Sequence, residues 1–150
     1  MTSEAPFGGG VFIADTSAWA RADRLPPDIA AEWERALVND QIAACPPITL
    51  EILYMARDPA EFDVWATRLR ALRRMAPIDG DAYWGALDAY REICGRDPRP
   101  NMPYPDILAA AAASARGWGV LHYDNHFDRL AGLAPLNFES RWIAPRGTID

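Results

Sequence analysis

Four carboxylates stand where apolar stretches give way to polar residues. Asp15 follows the run 11–14 in VFIADTSAW, and Asp124 follows 120–123 in VLHYDNHFD. Glu51 lies between Leu50 and Ile52 in ITLEIL, and Asp106 follows Pro105 just ahead of an alanine-rich segment. Carboxylate oxygens are the donors that hard divalent cations prefer, and such ions keep several waters when only a few carboxylates hold them. An ion held this way activates water and stabilises charge building on a phosphate. Four acids at one point would therefore suit phosphodiester hydrolysis with no side chain acting as nucleophile. Each acid also has a plainer reading. Asp15, Thr16 and Ser17 would cap a helix, Asp106 would answer a helix dipole, and Asp124 and Asp128 would be turn residues. Glu51 resists that reading, because its neighbours leave little polar surface on its helix. Convergence predicts all four acids together, whereas capping predicts no such set.

The elements that would position them follow from periodicity. Residues 11–14, 41–45 and 120–123 are short apolar runs of the kind that form buried strands, with 136–138 a candidate fourth. Between them lie helical patterns. Ile29, Trp33, Ala36 and Leu37 share one face after Pro26-Pro27; Leu50, Leu53 and Tyr54 follow Pro46-Pro47; Phe62, Trp65, Leu69 and Leu72 form a stripe after Pro59. Asp79-Gly80-Asp81 predicts the start of another helix, which ends near Gly95. The proline-rich stretch 97–105 predicts a loop, Asp106 opens a helix that stops at Gly117 or Gly119, and 125–131 predicts a short helix. Strands separated by helices pair in parallel, since a parallel connection needs a crossover. The expectation is an α/β fold, a three-layer α/β/α sandwich on a short parallel sheet. In such sheets ligands bind beyond the carboxyl ends of the strands, which is where Asp15 and Asp124 fall.

Composition narrows the function. At 150 residues and 50% hydrophobic, the chain suits one domain with one core; a flexible leader is expected over 1–9 and the domain over 10–150. No secretory or membrane-spanning stretch is present in the sequence, which predicts a soluble, cytoplasmic protein. The formal charge of -6 argues against coating nucleic acid by bulk attraction. All 15 basic residues are Arg; without Lys, neither a P-loop nor a Schiff-base enzyme is available. Arg68, Arg70, Arg73 and Arg74 form the one dense cluster, read as a solvated helix face. Cys45 and Cys94 read as reduced, buried thiols. A zinc site on His122 and His126 is disfavoured, because the first falls in a strand, the second in a turn, and no Cys is near.

With these motifs in hand, the sequence resembles the PIN-domain ribonucleases of the VapC toxin type. The resemblance rests on DTS after the first strand, PPITLEIL, PDILAAAAA and LHYDNHFDRLA, in that order over residues 11–138. It implies a Mg²⁺- or Mn²⁺-dependent endoribonuclease that cuts transfer, ribosomal or messenger RNA. Asp15, Glu51, Asp106 and Asp124 would be the metal ligands and catalytic acids, supported by Thr16, Ser17 and Asp128. It further implies a homodimer and a VapB-like antitoxin, for which Trp19 and Trp33 would offer exposed contacts beside the first crossover or else pack in the core. The alternative is an inactive PIN-fold binding module whose acids hold a partner's Arg. Two departures stand out: the leader is long, and His126 occupies a place where the family often has an acid.

Overall fold

The computed structural model describes residues 4–97 and 101–149. Five strands form one parallel sheet in the order β3-β2-β1-β4-β5. They are β1 (Phe12–Ala14), β2 (Ile42–Ala44), β3 (Arg74–Met75), β4 (Gly119–His122) and β5 (Glu139–Trp142). The helices are α1 (Thr16–Trp19), α2 (Pro27–Val38), α3 (Pro46–Tyr54), α4 (Pro59–Arg70), α5 (Gly80–Arg96), α6 (Tyr104–Arg116) and α7 (His126–Ala131). The central strands are buried throughout, which is why they read as unbroken apolar runs. Ile13 pairs with Ala43 on one side and Val120 on the other.

Starting from β1 the chain winds outward to β2 and β3, then returns to add β4 and β5 on the other side. Right-handed crossovers place α2 and α4 over one face and α5, α6 and α7 over the other, giving the expected three layers. Trp19, Trp33 and Trp65 pack edge to face on the first side. On the second, α6 is a small-residue helix whose Ala109 to Ala113 are all buried. It lies against β1, β4, α5 and α7. The reversal of direction leaves a crevice between the carboxyl ends of β1 and β4.

Several expectations are corrected. Trp19 and Trp33 are buried, which favours core packing of the two readings offered for them. Cys45 is buried, and its thiol is pushed up to about 12 by that burial, but Cys94 is exposed. Of the expected leader, residues 1–3 lie outside the described residues, and the rest folds back: Pro6–Gly9 is a 3-10 turn, with Phe7 buried edge-on against Phe12. The Phe7 N–H donates to Glu32. The last strand, expected at 136–138, lies at Glu139–Trp142 as β5, and Arg74–Met75 adds the two-residue β3. Both are edges, where backbone pairing suffices and charged side chains are favoured. α6 begins at Tyr104, two residues before Asp106, because Pro105 fits a first helical turn. Part of the loop expected at 97–105 falls outside the described residues. Among the described residues no helix is long and apolar enough to cross a membrane.

Candidate metal centre

Asp15 is the first residue after β1 and caps α1 with one oxygen. Its Oδ2 accepts from the Ser17 backbone N–H at 3.0 Å and the Ser17 hydroxyl at 2.6 Å. Its Oδ1 is buried and has no hydrogen-bond partner among the described residues. Capping and convergence are thus both true of this side chain, one on each oxygen. A buried carboxylate oxygen without a donor is costly, so Oδ1 is open to a proton, a water or a cation. Burial raises the Asp15 pKa, Ser17's hydrogen bonds pull it back down, and the charge of Glu51 raises it further.

Glu51 reaches the same place from the middle of α3. The Thr16 hydroxyl donates to its Oε1 at 2.5 Å, which explains why an acid is tolerated between Leu50 and Ile52. Asp106 enters from the first turn of α6 and is buried. Its carboxyl is pushed up to about 7, chiefly by burial and then by the charges of Asp15 and Asp124, against a hydrogen bond with His126. Asp124 follows β4, with its Oδ1 accepting from the His126 N–H at 3.0 Å. Asp15 therefore feels Glu51, and Asp106 feels Asp15 and Asp124. Acids separated by most of the chain are close enough to repel.

Ser17 does more than cap. Its Oγ, while donating to Asp15, accepts from the Tyr123 N–H at 2.9 Å, joining the ends of β1 and β4 across the crevice. Behind Asp124 lies a second network. His122 is fully buried; its Nδ1 accepts from the Asp124 N–H at 3.1 Å, and its Nε2 lies 2.7 Å from Ser140 Oγ. The Ser140 hydroxyl donates to Asp128 Oδ1, so His122 carries its proton on Nε2 and is neutral. Burial lowers its pKa to about 4, against the charges of Asp128 and Asp124. Asp128 is not brought to the acid cluster. Its burial acts upward, but hydrogen bonds from Ser140 and Trp142 outweigh it and hold the carboxyl below its ordinary value.

His126 is the residue that the sequence places poorly. Its Nδ1 lies 3.0 Å from Asp106 Oδ2 and 3.3 Å from Asp124 Oδ1. The available signal is its spacing two residues after Asp124, which a turn converts into proximity. The Arg cluster lies elsewhere: Arg68 stacks on Trp65, and Arg74 donates to the Asp40 carbonyl.

Comparison with known proteins places the fold in a family. The PIN domain family profile matches residues 12–133. Ribonuclease VapC18 of Mycobacterium tuberculosis is 39% identical over 142 residues, covering 93% of this chain and 99% of the relative. Ribonuclease VapC51 of the same organism is 33% identical over 141 residues, covering 93% of this chain and 97% of the relative. Among solved structures, a DNA-bound VapBC from Salmonella typhimurium superposes with a TM-score of 0.70 at 19% identity, covering 89% of this chain and 98% of that one. VapBC-5 of M. tuberculosis superposes with a TM-score of 0.61 at 20% identity over the same shares.

Proposed function

The chain belongs to the PIN-domain family of VapC ribonucleases, and from that premise we propose that it is a metal-dependent endoribonuclease toxin acting in the cytoplasm as a single domain. The observation that carries the proposal is the buried Asp15 Oδ1, which lacks a donor and sits in mutual repulsion with the neighbouring acids. Asp15, Glu51, Asp106 and Asp124 would hold Mg²⁺ or Mn²⁺, and their oxygen donors fit either ion. When bound, such an ion supplies positive charge for the scissile phosphate and lowers the pKa of a water.

The chain's own part is positional. Thr16 holds Glu51 by one oxygen, and Ser17 holds Asp15 by one oxygen, leaving the other free. With its carboxyl pushed up to about 7, Asp106 is partly protonated near neutral pH and would give that proton up on becoming a ligand, so ion binding should release protons. The acids alone would repel an RNA backbone; only a loaded centre attracts it.

The partner we propose is a VapB-like antitoxin, in keeping with the VapBC assemblies among the structural relatives. A groove of about 390 Å³ between α2 and α4, floored by Trp19, Trp33 and Trp65, suits an apolar helix of such a partner. A homodimer is supported by the exposed apolar residues Leu50, Tyr54 and Tyr104 around another hollow. The test is cleavage of transfer, ribosomal and messenger RNA by the purified protein. Activity should be lost in EDTA, restored by Mn²⁺ or Mg²⁺, absent from Asp15→Asn and suppressed by the co-expressed antitoxin. Metal binding without cleavage of any RNA would favour the binding-module alternative.

A further inference from the structure

Three ligand atoms, one each from Asp106, Asp124 and His126, lie within 4.8 Å of one another. Two are oxygens and one is an imidazole nitrogen. The nitrogen is held there by more than proximity. His126 is the first residue of α7, and its backbone N–H donates to Asp124 Oδ1 at 3.0 Å. The same carboxylate oxygen lies 3.3 Å from the ring's Nδ1. Backbone and side chain of one residue thus address one oxygen, and the ring has little freedom to leave. On its other side, Nδ1 meets Asp106 Oδ2 at 3.0 Å. A separate observation stands beside it: Oδ1 of Asp15, the residue that follows β1, is buried with no hydrogen-bond partner among the described residues, and the charge of Asp15 reaches Asp106.

We propose that His126 Nδ1 is a ligand of the ion held at this centre and that it biases the centre toward transition-series divalent ions over Mg²⁺. The inference rests on the reading of the acids as a metal site, and adds which ion the site prefers. Mg²⁺ is small and hard, and takes oxygen ligands and water in near-octahedral geometry. Imidazole suits transition ions, whose affinity for a nitrogen-bearing site rises along the series from Mn²⁺. An all-carboxylate cluster discriminates weakly between Mg²⁺ and Mn²⁺, whereas one nitrogen among the oxygens favours Mn²⁺. Coordination would use the Nδ1 lone pair, so any proton held between Nδ1 and Asp106 Oδ2 would pass to solvent when the ion binds.

Mn²⁺ itself serves as the probe, with Mg²⁺ measured by competition. Electron paramagnetic resonance titration of wild type, His126→Asp and His126→Ala gives the Mn²⁺ and Mg²⁺ dissociation constants without reference to RNA cleavage. Wild type should prefer Mn²⁺, and the ratio of the two constants should fall about tenfold in both variants. Pulsed spectra of wild type with one equivalent of Mn²⁺ should show ¹⁴N modulation that is lost in both variants. His122 does not supply it, because both of its ring nitrogens are engaged elsewhere. Wild type that binds Mn²⁺ with no ¹⁴N modulation overturns the assignment of His126 while leaving the metal site standing. Wild type that binds neither ion overturns both.

Discussion

Asp106→Asn should make the metal-free protein more stable, by an amount that grows with pH. Burial and the charges of Asp15 and Asp124 raise the Asp106 carboxyl from 3.8 to about 7. A carboxyl whose folded pKa exceeds its unfolded one contributes stability that is fully present below the unfolded value. That stability is lost as pH rises through the folded value and is constant above it. At about 1.4 kcal/mol per pH unit the whole loss is roughly 4 kcal/mol. Asn carries no charge and still offers an oxygen to His126. The gain should therefore be roughly 2 to 4 kcal/mol at pH 8 and under about 1 kcal/mol at pH 4. Because Asp15 is raised as well, neutralising its neighbour eases both groups. The assay is urea unfolding in EDTA at several pH values between 4 and 8, taking the difference between variant and wild type so that other titrating groups cancel. Saturating Mn²⁺ should reverse the order, stabilising wild type well above the variant. A difference that stays flat with pH, or a variant no more stable than wild type at pH 8, refutes the reasoning that Asp106 sits among uncompensated charges.

Other outcomes follow from the same geometry. Asp15→Asn, Glu51→Gln and Asp124→Asn should each lower metal-dependent RNA cleavage at least about 100-fold with the fold intact, checked by single-turnover kinetics and circular dichroism. His122 is depressed from 6.5 to about 4, so its contribution is full above 6.5 and is lost as pH falls toward 4, by roughly 3 kcal/mol; His122→Asn should flatten that part of the unfolding profile. A Cβ at Gly119 would lie 2.6 Å from the Phe12 ring and 2.8 Å from the Glu139 carbonyl, so Gly119→Ala should destabilise by roughly 1 to 3 kcal/mol in denaturant melts. Replacing Arg70 and Arg73 by Gln should leave cleavage unchanged and the salt dependence of RNA binding unaltered, because both side chains belong to the β3 end of the sheet, away from the acids; a flattened salt slope would place them on the RNA path.

The parts of this molecule that could be read from the sequence are those where burial dictates residue type. Residues 11–14 and 120–123 are apolar on both faces because both faces are covered, and the acids that follow stand out against that background. Glu51 was conspicuous among apolar neighbours, although Leu50 beside it and Tyr54 further along α3 are exposed. The edge strands were harder to place: Glu139–Trp142 alternates charged and polar residues, since an edge contributes backbone pairing more than core. Trp19 and Trp33 were ambiguous because a helical stripe does not say whether its partner is another helix of the same chain. Here it is Trp65 on α4 that covers Trp19, a contact made by the winding of the sheet. His126 was visible only as a departure from an expected acid. Its closeness to Asp106 comes from the turn that starts α7, and no local pattern encodes that pairing of residues. Asp128, expected as support, sits one helical turn from Asp124 and faces Ser140 and Trp142 on β5, so it reaches Asp124 only through Ser140 and His122.

The Ser17 hydroxyl that ties Asp15 to the Tyr123 backbone spans 106 residues of chain, and this separation has a meaning in time. A ribosome adding roughly 5 to 20 residues per second makes Asp15 roughly 5 to 20 s before it makes Asp124. Through that interval the nascent chain carries its first acid with no partner to complete the centre. The backing of the last acid comes later still, from Ser140 on β5 through His122. A product interrupted before β5 would own every one of the four acids and still lack the strand that steadies the final one. The acids of the centre are thus all made before the strand that steadies the last of them, so the complete arrangement is a property of the finished chain.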